Sequence, residues 1–235
     1  MLWYKAWLET RSRFLVSLCG MVLLPSYWVF HEDGLIHQTN WDYRTLHIGH
    51  SMLSAMWVLA VMLLMMGGLL REKAAGTSSF TLALPVSRAR LMCVRILCGL
   101  AQAMALAVIP WGAMLIVAAN TGTATSLSQA FFHLVLLMGG GLVFFAIALL
   151  VSSLIEGEYT VPALSFGILF VDIVAFEDAP FRAFSPWNFI AGTEYFDRAS
   201  QQLAGPVPWG HFAANVLAAT VLIGISIRAI QRTEF

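Results

Sequence analysis

His47 and His50, in the stretch HIGH, stand three residues apart and so share one helical face, with His31 and His37 shortly before them. Imidazoles gathered this way are the raw material of a metal site. Yet no cysteine nearby completes a ligand set, and the loop spacings are irregular. The alternative is a group of interfacial histidines hydrogen-bonded to water or lipid headgroups. The four letters also occur in a nucleotidyl-transfer signature, but here they open an apolar helix with no dinucleotide-fold pattern around it, so the match is fortuitous. Asp172 is the one carboxylate close to the interior of an apolar run. Acids at such depth are costly and often functional. It either lies on a substrate or proton path or reaches the surface beside Glu177 and Asp178. No Ser/His/Asp or Cys/His constellation can be assembled for catalysis. No G-x-x-x-x-G-K-[ST] occurs in these 235 residues, so they hold no phosphate-cradling loop, and any ATP-driven work needs a partner.

The elements that must position these groups are membrane helices. The chain is 59% hydrophobic and 11% charged, against about 25% charged for ordinary soluble domains. Lipid is the solvent such a composition calls for. Zero formal net charge argues against a nucleic-acid partner. The three cysteines, Cys19, Cys93 and Cys98, sit in or beside apolar runs as packing residues and make no disulfide framework.

About 20 apolar residues cross the hydrocarbon core. Six stretches qualify: 14–30, 46–70, 92–119, 129–153, 160–176 and 209–227. The first is longer than the apolar core of a signal peptide and lacks a cleavage site, so a retained span is expected. The polar turn NTGTATSLSQ splits the uncharged block Ile96–Ile155 into two spans. With the N-terminus inside, the inner side holds Lys5, Arg11, Arg13, Arg71, Lys73, Arg88, Arg90, Arg95, Arg228 and Arg232. The outer side holds Arg44, Arg182 and Arg198. That is 10 against 3 of the 13 basic residues, which favours both ends inside. The expected fold is one all-α membrane domain over residues 1–235.

Three connections stand out. Residues 1–13 set Leu2, Trp3, Ala6 and Trp7 against Lys5, Glu9 and Arg11, a pattern for a short interfacial helix on the inner surface. The long outer loop, 177–208, carries Phe181, Phe184, Trp187, Phe189, Tyr195 and Phe196 among Pro and Gly. It suits either short re-entrant helices over a pore mouth or a loop anchored in the aromatic belt. The third is the inner connection 71–91, REKAAGTSSFTLALPVSRARL. Arg71 and Lys73 anchor one span end, and Gly76 breaks the helix. Thr77 or Ser78 caps a short new helix, Phe80, Leu82 and Leu84 give it an apolar surface, and Pro85 ends it. Ser87 can then cap the following helix. By physics alone, this foot is equally an amphipathic connector on lipid or a docking element.

The same stretch resembles the first cytoplasmic loop of ABC-2-type transporter permeases. The matching residues are Arg71, Glu72, Gly76, Thr77, Leu82, Leu84, Pro85, Val86, Ser87, Arg88 and Leu91, with Arg95 where lysine is frequent and Phe80–Thr81 departing from the usual pattern. FSPWNFIAG, Phe184–Gly192, is similar to an element those permeases carry after the fifth span. The resemblance implies half of a transport pore, paired with a second permease copy or paralogue and driven by two separate ATPase subunits that bind ATP and magnesium. It implies a coupling helix docking on the ATPase through Glu72, Gly76, Thr77, Leu82, Pro85 and Arg88. Glu156, Glu158 and Tyr159 would form a second inner contact. Export across the cytoplasmic membrane is the usual direction, and the aromatic outer loops suit a drug, lipid or peptide cargo. The chain itself would be no enzyme and bind no cofactor or metal. The competing readings are a membrane scaffold without transport and an intramembrane enzyme using the histidines and Asp172.

Overall fold

The computed structural model describes residues 2–32, 41–66, 86–121, 127–155, 157, 159–176, 182–197, 202–203 and 205–232. Seven α-helices run through them: α1 (Leu2–Glu32), α2 (Trp41–Met65), α3 (Arg88–Thr121), α4 (Leu127–Leu154), α5 (Thr160–Ala175), the short α6 (Pro186–Ala191) and α7 (Trp209–Arg232). The only strands among the described residues are two-residue segments, β1 (Phe196–Asp197) and β2 (Gln202–Leu203), paired antiparallel with Phe196 opposite Leu203. The chain is therefore all-α in architecture, as its composition requires.

Among the described residues three helices are long and apolar enough to cross a membrane, over Arg88–Val117, Leu127–Leu154 and Trp209–Arg232. Met52–Met65 and Thr160–Ala175 are shorter apolar helices. The stretches 92–119, 129–153, 160–176 and 209–227 fall on α3, α4, α5 and α7 within a few residues, and 46–65 falls on α2, with 67–70 outside the described residues. The N-terminus differs: the surface helix expected over 1–13 and the span from Phe14 are one continuous helix, α1. No Gly or Pro lies between Leu2 and Phe14 to interrupt it. Thr10, which could have diverted the backbone, turns its hydroxyl back onto the carbonyl of Ala6 at 3.0 Å, inside the helix.

α1 packs along α3, and α4 packs along α7, with α2 wedged against α1 and α4. The main core gathers Leu53, Trp57, Leu64, Leu106, Phe144 and Phe145, all fully or almost fully buried. Small residues let the backbones close. A Cβ on Gly141 would collide with the Trp57 ring, whose indole N–H donates to the Ala103 carbonyl at 3.0 Å. One glycine on α4 thus seats a tryptophan of α2 whose polar edge reaches α3. The surfaces of α1 and α7 expose Leu15, Val16, Leu23, Leu217 and Val221, side chains suited to acyl chains.

Candidate functional site

At the end of the bundle away from the start of α1, the chain folds back on α4 through α6. The local sequence dictates this. Ser185 is extended (φ −78°, ψ 120°) and its Oγ accepts the Asn188 N–H at 3.1 Å, which makes it the N-cap. Pro186 follows at the first helical position, where its missing N–H costs nothing. Gly192 ends the helix in the left-handed region (φ 68°), a conformation that strains any residue with a Cβ.

Three neighbours hold this short helix. From α5, one Asp172 carboxylate oxygen accepts the Ser185 hydroxyl at 3.0 Å and the Trp187 N–H at 3.2 Å. The carboxylate, 8% exposed, sits at the N-terminal end of α6 where the free N–H groups and the helix dipole favour negative charge. Next to it, Asn188 Nδ2 donates to the Phe176 carbonyl at 2.9 Å. From α2, His50 Nε2 pairs with the Ile190 carbonyl at 2.9 Å. From α4, Gly139 and Gly140 give room: a Cβ on Gly140 would lie 2.5 Å from both the Pro186 carbonyl oxygen and Ile190 Cγ1. Phe189 and Ile190 are buried in consequence.

His50 belongs to a buried polar cluster drawn from three helices. Its ring centroid is 4.0 Å from that of His133 on α4, and Trp111 of α3 stacks on His133 at 5.4 Å. Ser54 Oγ lies 3.4 Å from His50 Nε2. His50 is fully buried, and His133 and Trp111 are each 4% exposed. The spatial partner of His50 is therefore His133, from the apolar stretch 129–153, which no spacing along the chain connects with it. The side chains of His31, His37 and His47 lie outside the described residues. Among the described residues no three His, Cys, Asp or Glu side chains converge as metal ligands. The arrangement orients α6 and joins α2, α3 and α4.

A second apolar cluster gathers Phe132, Leu136, Phe189 and Leu203. Gln129 of α4 acts as an extra strand there, its side-chain amide exchanging two hydrogen bonds with the Leu203 backbone at 2.9 and 3.1 Å. Tyr195 and His211 share a 2.7 Å hydrogen bond. Burial, with the neighbouring Glu194 charge, pushes the Tyr195 phenol above its ordinary range, so it remains protonated.

At the opposite end, Arg88 is the first residue of α3 and Ser87 Oγ accepts the Arg90 N–H at 3.3 Å, the cap the sequence suggested. Tyr159 precedes α5 and is 82% exposed. Glu72, Gly76, Thr77, Leu82, Pro85, Glu156 and Glu158 lie outside the described residues. A sequence model of the ABC-2 family transporter proteins matches residues 27–185, more than half of the chain. The chain belongs to the ABC-2 transporter family. No curated protein matches it. The match runs from the last turns of α1 to Ser185, so it takes in α2 to α5 and the connection between α2 and α3. As a family member the chain is a multi-pass membrane protein, and Asp172, His50 and His133 all fall within the matched region.

Proposed function

We propose that this chain is the permease half of an ATP-driven exporter, carrying a hydrophobic or amphipathic cargo of the drug, lipid or peptide class. Two copies, or this chain and a paralogue, form the pore, and two separate ATPase subunits supply the work. In this reading six spans cross the cytoplasmic membrane with both ends on its inner side, so that residues 71–91 and 156–159 face the ATPase. Glu72, Gly76, Thr77, Leu82, Pro85 and Arg88 make the main contact, and Glu156, Glu158 and Tyr159 the second. On the outer side, α6 sits over the bundle as a plug held by Asp172 and His50.

The observation that carries this reading is the family match across 27–185, with the 71–91 segment inside it between two helices of the bundle. The lack of a phosphate-binding loop within the 235 residues is consistent with a separate motor. The test is reconstitution with a candidate P-loop ATPase subunit, using Gly76 and Pro85 variants. Loss of transport-coupled ATP hydrolysis is expected. Hydrolysis and coupling unchanged by both substitutions would refute the docking role.

A further inference from the structure

The last carbonyls of α2 point at two arginines, each from a different helix. Arg13 of α1 donates through Nη1 to the Leu63 carbonyl at 2.9 Å and also to the Met66 carbonyl. Arg95 of α3 donates through Nη2 to the Met65 carbonyl at 3.3 Å. Helix ends leave their final carbonyls without intrahelical partners, and these oxygens carry the negative end of the helix dipole. A guanidinium suits them because its charge is permanent and its fork can reach several acceptors at once. Arg95 is tied in turn to α1, the helix that carries Arg13. Arg95 Nη1 bonds Glu9 of α1 at 3.4 Å, and Lys5 pairs with Glu9 at 3.7 Å. Further along, Gln102 Nε2 of α3 donates to Thr10 Oγ1 of α1 at 2.7 Å, both buried. These contacts tie α1 and α3 to each other and to the end of α2, and in sequence Met66 stands five residues before Arg71, the start of the 71–91 segment.

We infer that Arg13 and Arg95 form a clamp that passes displacement of the 71–91 segment from α2 into α1 and α3. Resting on the ATPase-coupling reading above, the inference adds the route by which force applied at one connection moves three helices. Capping orphan carbonyls would need only one cation on one helix. Here donors arrive from both neighbours, and each neighbour is also fastened to the other. Pulling on Met66 therefore loads both arginines together, and the Glu9, Thr10 and Gln102 contacts keep α1 and α3 moving as a pair.

The experiment uses the permease copurified with its ATPase, free of Cys19, Cys93 and Cys98, with spin labels at Tyr4→Cys on α1 and Arg232→Cys on α7. The inter-label distance is read without nucleotide and after trapping with ATP and vanadate. In the parent complex, trapping shifts the distance. In Arg13→Gln/Arg95→Gln, with the ATPase still bound, the shift falls by roughly half or more, because neutral amides replace charge-assisted forks. In Arg13→Lys/Arg95→Lys, which keeps both charges, part of the shift returns. If the double variant does not fold, Arg95→Gln alone, which leaves Arg13 on two carbonyls, carries the comparison. A full shift in the glutamine variant overturns the clamp and leaves the docking reading intact. A parent permease that captures no ATPase removes the docking reading, and the clamp's role with it. A bound parent complex whose labels do not move overturns the clamp alone.

Discussion

Replacing Asp172 separates a helix anchor from a transport carboxylate. Both of its hydrogen bonds, from Ser185 Oγ at 3.0 Å and Trp187 N–H at 3.2 Å, end on the same oxygen. Asp172→Ala leaves both donors without that acceptor in a buried setting. Hydrogen bonds to a charged group contribute about 1.5–3 kcal/mol each and are not additive, so a loss of about 2–4 kcal/mol for docking α6 is expected. At 1.4 kcal/mol per factor of ten, about 3 kcal/mol raises the undocked population roughly a hundredfold. Asp172→Asn retains one carbonyl oxygen that can accept both donors and forfeits only the charge assistance, about 1 kcal/mol, or a fewfold change. The assay is the thiol-labelling rate of Ile190→Cys, at a fully buried position of α6, in a background without Cys19, Cys93 and Cys98. Alanine should accelerate labelling far more than asparagine, and asparagine should keep most transport. Asparagine as damaging to transport as alanine, with labelling unchanged in both, would refute the anchor and restore a proton or substrate role.

Other substitutions probe the same architecture. Gly140→Ala presses a methyl on the Pro186 carbonyl and should lower stability by about 1–3 kcal/mol in a detergent melt, whereas Gly167→Ala on α5, with nothing within 4 Å, should be neutral or stabilising by up to about 1 kcal/mol. His50→Ala removes the partner of the Ile190 carbonyl and empties a buried site, so it should release α6 in the same labelling assay at a cost of about 2–4 kcal/mol. Gly192→Ala forces a Cβ into a left-handed cap with Leu136 Cδ1 2.9 Å away, which should cost about 1–2 kcal/mol.

The helices were legible because lipid imposes one rule along the whole chain: long apolar runs must be helical. The α3 cap was legible too, since Ser87 acts within its own turn. SPWNFIAG could be singled out as unusual, and its proline and glycine already mark the start and end of α6. What could not be read was anything that depends on which helices lie side by side. His50 and His133 meet across α2 and α4, and neither neighbourhood names the other. Asp172 read as a lone intramembrane acid because its donors come after a turn whose direction the sequence does not state. Arg13 counted only as an inner-side charge, and Arg95 as that and as a match where lysine is frequent, although both reach backbone carbonyls at the end of α2, which no side-chain pattern reveals. The continuous α1 was missed for a different reason: a change from amphipathic to apolar composition looks like a boundary, while the backbone needs a breaker to stop and finds none before Phe14.

The central claim is that the connection between α2 and α3 seats on a separate ATPase. A photo-crosslinking amino acid at Phe80 in membranes containing both subunits tests it directly. The account predicts a covalent adduct to the ATPase, diminished by Gly76 and Pro85 substitutions. Adducts to lipid alone, or labelling of that position by an impermeant reagent from the outer side, would contradict it.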